Sequence, residues 1–400
     1  MRILVVSPQF PYPPASGFNI RVTQMLPFLS RRHSVTLLTY APVGAELGDG
    51  VAWLSALCDA VHVVPGGSAT SSRKRIEQLL SLASSRSFQG RYLYSQSMQR
   101  TLDELCRAEP FDVIQLETSQ LATFSFDPRS SVVVVEHDIV YELLHRIASA
   151  ERSWFRRVYN GAEARKYARE EPERWKRAAA CVVTSSREVD IVRAAGVTTP
   201  VLVVPNGVDT EYFRPSAVAP EPDTLVMTGL MSTRPNIDAA VHFATEVFPT
   251  ILAARPTARV YIVGGDPPDE VSRLANDAVI VTGSVPDVRP YVHKAAVVVV
   301  PLRMGGGTRL KVLEGLSMKK PMVSTSIGCE GIDVANDEHV LVADTPSAFA
   351  AATLRLLDDA ATRCRLAERG HALVYERYEW ERAFAPLDAL YDEIRRSHSS

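Results

Sequence analysis

The 400-residue chain is 46% apolar and 22% charged, with a formal net charge of −2. This is ordinary globular composition in a chain longer than one hydrophobic core usually fills, so two domains are expected. The near-neutral balance excludes a dedicated nucleic-acid binder, which carries a basic excess.

The five cysteines (Cys58, Cys106, Cys181, Cys329 and Cys364) lie far apart and form no C-x-x-C pair. They read as small buried thiols of a reducing compartment, neither disulfides nor a zinc site. The opening MRILVVSPQF has one basic residue and too short an apolar run for a signal peptide. No stretch approaches the roughly 20 apolar residues of a membrane span. A cytoplasmic protein is expected, with peripheral docking on the inner face of the membrane left open.

Short Val-rich runs alternate with longer helical patterns from end to end. The first series is Ile3–Val6, Val35–Leu38, Val61–Val64, Val113–Leu116, Val132–Val135, Val182–Val183 and Val201–Val204. These continuous runs, without apolar/polar alternation, are the pattern of parallel strands covered on both faces. Between the first two runs, Ser16-Gly17 precedes a helix expected over Phe18–Leu29. Gly17 lets backbone approach a ligand closely, or it simply joins strand to helix. Ser71–Arg100 holds six basic residues (Arg73, Lys74, Arg75, Arg86, Arg91, Arg100) against Glu77, with Phe88, Tyr92, Leu93 and Tyr94 interleaved. That mixture suits an anionic membrane surface or a lipid-diphosphate acceptor; a solvated helix pair is the other reading.

Glu117 and His137 each follow a strand-like run, where ligands of doubly wound sheets collect. Glu117 reads as a binder of acceptor hydroxyls or, equally, as a solvated loop carboxylate. Glu151–Arg177 mixes nine basic with five acidic residues and reads as a long solvated helix. Asn206-Gly207 is a turn signal at the junction of the two series, and Pro215–Pro222 separates them.

The second series is Leu225–Met227, Val260–Val263, Val279–Val281, Val297–Val300, Met322–Val323 and Val340–Val342. An amphipathic helix is expected over Asn236–Ala254. Repeated strand–helix units imply right-handed crossovers and two doubly wound α/β sheets. The expected domains are 1–205 and 206–377, with a helix over 378–396 crossing back onto the first. Neither half contains the Gly-x-Gly-x-x-Gly fingerprint with its acidic partner, which counts against a nicotinamide dehydrogenase.

Val297–Val300 empties into Gly305-Gly306-Gly307, and the expected helix beyond carries Arg309, Lys311 and Glu314. A Gly-rich turn at a helix N-terminus leaves backbone N–H groups and a positive dipole end facing one point. Gly307, Thr308, Arg309 and Lys311 there make a site for a phosphorylated ligand, and Glu314 can accept from sugar hydroxyls. The competing reading of Lys311 and Glu314 is a solvent-exposed i,i+3 ion pair.

VVPNGVDTEYFRP (Val203–Pro215), GLMSTRPNID (Gly229–Asp238), VTGSVPDVRPYV (Val281–Val292) and the glycine-rich helix resemble family-4 glycosyltransferases. The likeness runs from PQFPYPPASG to the terminal helix and is nearest to bacterial exopolysaccharide-type sugar transferases. It implies a GT-B fold, two Rossmann-like domains facing a cleft, the first for the acceptor and the second for a nucleoside diphosphate sugar. It also implies a retaining, metal-independent transfer needing no cofactor; no Asp-x-Asp triplet is present. By the same resemblance His137 faces the donor sugar, Gly283, Ser284 and Val285 meet its base, Asn206 contacts it, and Glu330 lies near the sugar. Glu314 matches the second glutamate of the family's pair, which holds the ribose, whereas the first falls on Gly306. The family's Gly-Arg-Leu and Lys-Gly, which grip the diphosphate, read here Gly229-Leu230-Met231 and Pro235-Asn236. Arg234, Arg309 and Lys311 are the cations available instead. The expected partners are a nucleotide-sugar donor and a glycan, lipid-linked or small-molecule acceptor. A nucleotide-sugar epimerase and a non-catalytic nucleotide-sugar binding module are the alternatives.

Overall fold

The computed structural model describes residues 1–41, 47–66, 71–82, 84–151, 153–307 and 309–398, with the side chains at 71–75, 79, 150 and 397–398 outside the description. The chain divides into two compact units. One is Met1–Pro205 with Phe384–Ser400, the other Asn206–Ala383.

All thirteen apolar runs are strands. In the first unit they are β1 (Arg2–Ser7), β2 (Ser34–Tyr40), β3 (Ala60–Val64), β4 (Val113–Leu116), β5 (Ser131–Val135), β6 (Ala180–Val183) and β7 (Val201–Val203). They form one parallel sheet in the order β3-β2-β1-β4-β5-β6-β7. Ile3 pairs with Val35 on one side and Val113 on the other. Every residue of β4 and β6 is buried, as their unbroken apolar pattern requires of strands covered on both faces.

The second unit holds β8 (Thr224–Thr228), β9 (Arg259–Val263), β10 (Val279–Gly283), β11 (Val297–Val300), β12 (Met322–Ser324) and β13 (Leu341–Val342). These too are all parallel, in the order β10-β9-β8-β11-β12-β13. In each sheet the first strand of the unit lies beside the fourth. The connections leaving those two strands turn to opposite sides, which opens a crevice at their C-terminal ends.

Three expectations change. The stretch Arg234–Ala254 is long and apolar enough to cross a membrane, alone among the described helices. Its Ala239, Ala240, Phe243, Val247, Phe248 and Ile251 are instead buried in the core of the second unit. Of the five cysteines, four are buried but Cys364 is exposed. The helix Trp154–Arg177 is not solvated all round: Glu163, Tyr167, Glu171 and Trp175 are buried along it.

Tyr378–Ala383 stays with the second unit, where Val208 N donates to Tyr378 O at 2.7 Å and Val208 bridges Glu379. From Phe384 onward the helix Trp380–His398 belongs to the first. The Phe384 ring meets Phe28 at 5.5 Å and lies 5.6 Å from the guanidinium of Arg21. Buried Arg21 in turn donates to Val204 O and Pro205 O at 2.8 Å each, fastening the helix Gly17–Ser30 to the end of β7. Phe384 is fully buried, so Phe384→Ala is expected to destabilise the first unit by about 3–5 kcal/mol. Urea unfolding of the full chain reads this as an earlier transition; a variant as stable as the parent would place this helix outside the core.

Candidate functional site

In the first unit, a cavity of 770 Å³ opens at the C-terminal ends of β1, β2, β4 and β5. Tyr12, Phe18, Asn19, Tyr40, Tyr92, His137 and Asp138 are among its lining residues. His137 Nε2 stands 2.9 Å from Glu117 Oε2, and its ring is tilted against Phe18 with centroids 4.7 Å apart. With Nε2 committed to a carboxylate, Nδ1 is the ring atom left for a ligand. Glu117, expected to meet acceptor hydroxyls or to be solvated, has no exposed side-chain surface. Gln115 Nε2 donates to its Oε1 and His137 holds its Oε2. Gln115 Oε1 accepts from Tyr391 OH. A line of hydrogen bonds therefore runs from the terminal helix through β4 to His137.

A second buried network brackets the same histidine. Glu136 accepts from Trp175 Nε1 at 2.7 Å and from Ser119 N at 3.4 Å. Glu171 accepts from Val140 N and Tyr141 N at 3.2 and 3.1 Å, capping the helix Val140–Ala150 that starts just past His137. Burial pushes both carboxyls above their ordinary range, and the charge of Glu136 adds to the cost of ionising Glu171.

In the second unit the glycine-rich loop follows β11. Gly305 and Gly307 sit at φ +120° and +69°, which side-chain-bearing residues rarely adopt. The helix begins at Leu310, so Arg309 is its N-cap residue and not part of its first turn. Arg309 folds back over the loop: Nη1 donates to Gly306 O, and a Cβ on Gly305 would stand 2.8 Å from Nη2.

Lys311 and Glu314 are half-buried and form no exposed ion pair. Lys311 crosses instead to the segment after β8, where Nζ donates at 2.8 Å to Oδ1 of Asn236 in the first turn of the helix Arg234–His242. A Cβ on Gly229 would lie 2.6 Å from that ammonium. Asn236 is held by donating from Nδ2 to Leu230 O at 2.9 Å. The segments after two adjacent strands, β8 and β11, thus meet around one lysine. Burial and the neighbouring Arg309 lower Lys311 to about 8, and burial raises Glu314 to about 7.

The other expected residues are more scattered. Arg234 is exposed at the start of the helix Arg234–His242. Gly283 closes β10, with Ser284 exposed after it and Val285 packed on the core. Asn206 is buried at the head of its unit. Gly17 opens the first helix, whose Ser16 cap accepts from Asn19 N at 3.2 Å. Thr308 lies outside the described residues. Sequence reasoning missed Asn236, Gln115, Tyr391, Glu136 and Glu171. Only Asn236 carried a local signal, a side-chain amide in the first turn of a helix after a strand.

Residues 15–212 match the family described as Glycosyltransferase Family 4, and residues 222–359 match the one described as Glycosyl transferases group 1. The chain belongs to these glycosyltransferases. A stretch of 224 residues is 26% identical to a protein of the phosphatidylinositol N-acetylglucosaminyltransferase of Arabidopsis thaliana, covering 54% of this glycosyltransferase and 48% of that protein. The chain therefore spans about half the length of that curated relative. Sucrose-phosphate synthase of Thermosynechococcus elongatus superposes with a TM-score of 0.71 at 17% identity, over 99% of this chain and 100% of that one. HepE of Anabaena, solved in complex with UDP, gives 0.71 at 14% identity over 98% and 100%. The fold is the GT-B type, with two parallel-sheet α/β domains.

The Glu136–Glu171 pair yields a signed expectation for this glycosyltransferase. A carboxyl raised above its unfolded value stabilises the fold fully below that unfolded value, and the stabilisation is lost as pH rises through the folded value. Glu171→Gln removes the ionisable group and keeps one of the two oxygens that accept from Val140 N and Tyr141 N. The melting temperature of the variant relative to the parent should therefore be higher at pH 8 than at pH 5. A melting-temperature difference independent of pH would contradict the shared burial of these carboxyls.

Proposed function

We propose that this glycosyltransferase moves a sugar from a uridine diphosphate sugar to a glycan or lipid-linked acceptor, with retention of configuration and without a metal ion. The observation that carries the reading is the Lys311 ammonium at the meeting point of Gly229 and Asn236. A cation from the β11 side stands at the corner where the family pattern would put the lysine of Lys-Gly. As the bond from the anomeric carbon to the diphosphate breaks, negative charge grows on the departing oxygen. Donors fixed there beforehand lower the barrier most. Lys311, Arg309 and the backbone around Gly307 and Thr308 take that role, while the acceptor oxygen bonds to the anomeric carbon and its proton passes to the leaving phosphate.

Glu314 holds the ribose, Gly283, Ser284 and Val285 meet the base, and Arg234 and Asn206 complete the donor side. In the first unit, Gly17 and His137 border the place of transfer. Glu117 acts on the acceptor through His137, whose ring it orients. Uridine is favoured by the UDP in the HepE structure, and a lipid-linked acceptor by the name of the Arabidopsis relative. The segment 73–100 offers this enzyme a basic membrane contact from the cytoplasmic side: Arg86 and Arg100 are exposed, Arg91 lies 3.5 Å from Glu77, and the side chains of Arg73, Lys74 and Arg75 are outside the described residues.

Titration against UDP, GDP, dTDP, CDP and ADP tests the donor reading. UDP should bind tightest, and Lys311→Ala should weaken it by about 10- to 100-fold, the worth of one charge-assisted hydrogen bond. Glu314→Ala should weaken it too; unchanged affinity in either folded variant removes that residue from the site. His137→Ala should spare UDP affinity yet cut turnover by about 100-fold, and full turnover would discard its role.

The pH dependence follows from two groups. Below about 7 Glu314 takes a proton and loses an acceptor for ribose hydroxyls, and above about 8 Lys311 loses the proton that gives its charge. UDP affinity should therefore peak between those values. Lys311→Arg should flatten the alkaline flank and Glu314→Gln the acid one; flanks that persist in both variants would assign them to other groups.

A further inference from the structure

Residues Ser153–Val158 are exposed without a break, although the stretch reads SWFRRV. They form the end of a helical hairpin made by Val140–Ala150 and Trp154–Arg177. Trp154 is 64% exposed, Phe155 68% and Val158 61%, and the two aromatic rings stack with centroids 3.6 Å apart. Trp154 and Val158 are four residues apart, so they share one face of the helix. A second apolar stripe stands on the helix Ser71–Leu82, with Ile76, Leu80 and Leu82 each about half exposed. That helix is tied to the hairpin where Ser81 Oγ donates to Glu163 Oε1 at 3.1 Å and Lys166 Nζ donates to Ser81 O at 2.5 Å. Of the twelve large apolar residues exposed among those described, six belong to these two helices. Such a concentration marks an interaction surface and not scattered surface residues.

The charge around it selects the partner. Between Glu142 and Tyr159 the chain carries Arg146, which lies 3.8 Å from Glu142, and then Arg152, Arg156 and Arg157 against Glu151. The other helix opens with Arg73, Lys74 and Arg75 before Glu77. Aromatic rings flanked by arginines match the boundary of an anionic bilayer, where rings sit at headgroup level and cations meet lipid phosphates. We propose that the hairpin end at Trp154–Val158 docks this protein on an anionic lipid surface, inserting Trp154 and Phe155, with the Ile76–Leu82 stripe as a second contact.

This deepens the lipid-linked acceptor reading and rests on it only for its purpose, since docking itself needs neither nucleotide nor acceptor. The helix Val140–Ala150 starts three residues after His137 and rises about 16 Å to the hairpin end at 1.5 Å per residue. The acceptor cavity is then at most about one such helix length from the lipid, within reach of a saccharide on a lipid diphosphate.

The full chain should cosediment with vesicles of equal parts phosphatidylglycerol and phosphatidylcholine, and not with phosphatidylcholine alone, and high salt should release it. Trp154 is by far the most exposed of the four tryptophans, so emission should shift to the blue on binding. Trp154→Ser/Phe155→Ser, and separately Arg156→Glu/Arg157→Glu, should each lower vesicle partitioning by about tenfold or more. Both should keep the parent's melting temperature and UDP affinity, so a failed docking test leaves the donor reading standing. The proposal is overturned if the parent ignores anionic vesicles, or if either double variant binds them as the parent does. A dimer in sedimentation velocity that Trp154→Ser/Phe155→Ser dissolves would also overturn it, by giving this surface to a second copy.

Discussion

The reversal of strand order in each sheet governs where chemistry can occur in this molecule. Parallel strands buried on both faces offer no side chains to a ligand along their length. Ligand access is confined to their C-terminal ends, and there only where the connections part. Those points lie between β1 and β4 and between β8 and β11. Glu117 leaves β4, His137 leaves the adjacent β5, and the cavity they line opens beside the loop after β1. Gly229 and Asn236 follow β8, while Arg309 and Lys311 follow β11. In each unit the topology thus marks one such crevice before any side chain is chosen.

At the second of these points a cation arrives from an unexpected direction. The segment after β8 carries no basic residue at Gly229-Leu230-Met231 or Pro235-Asn236. A lysine in the first turn of the helix after β11 covers the same corner because its four-carbon stem is long enough to cross between adjacent strands. A Cβ at 229 would crowd Nζ and the Asn236 amide, and the φ of +148° there is one that side-chain-bearing residues rarely adopt. The exchange changes the electrostatics as well as the source of the charge. The ammonium gives up its proton near 8, because burial and the neighbouring charge of Arg309 outweigh the attraction of Glu314. Under the proposed donor reading, an arriving diphosphate would supply the anionic partner. On that reading, part of the free energy of binding would be stored as an incompletely neutralised cation in the resting protein.

Legibility in the sequence followed the range of the interactions involved. Strands such as Val113–Leu116 and Val297–Val300 could be read directly, because a fully buried parallel strand needs an unbroken apolar run. Glu314 and Lys311 could be singled out because a strand, three glycines and a helix lie within twenty residues of one another. Glu117 was half legible: its position at a strand end was visible and its burial was not, since an acid looks the same whether water or Gln115 satisfies it. The supports of His137 could not be read at all. Tyr391 meets Gln115 across 276 residues, and Glu171 caps a helix 30 residues before it. No spacing rule relates such pairs. In the helix Trp154–Arg177 the mixed charges suggested a solvated surface, yet Glu163 and Glu171 turn inward because backbone N–H groups at Phe88, Val140 and Tyr141 need acceptors there.

These hidden contacts tie folding to the orientation of one ring. On one side, the position of His137 is set by Glu117, which is set by Gln115, which is held by Tyr391 on a helix that returns from the far end of the chain. On the other side, Glu136, immediately before the histidine, is pinned by Trp175 and Ser119, and Glu171 holds the backbone at Val140 and Tyr141, three and four residues after it. A histidine on a loop at a strand end would otherwise sample several rotamers, and a hydrogen bond offered to a developing charge is effective only when its geometry precedes the reaction. The terminal helix therefore does more than complete a hydrophobic core. By inserting Tyr391 beneath β4 it makes the direction of the His137 ring a property of the folded first unit, and separating the helix from the sheet would release the ring along with the packing.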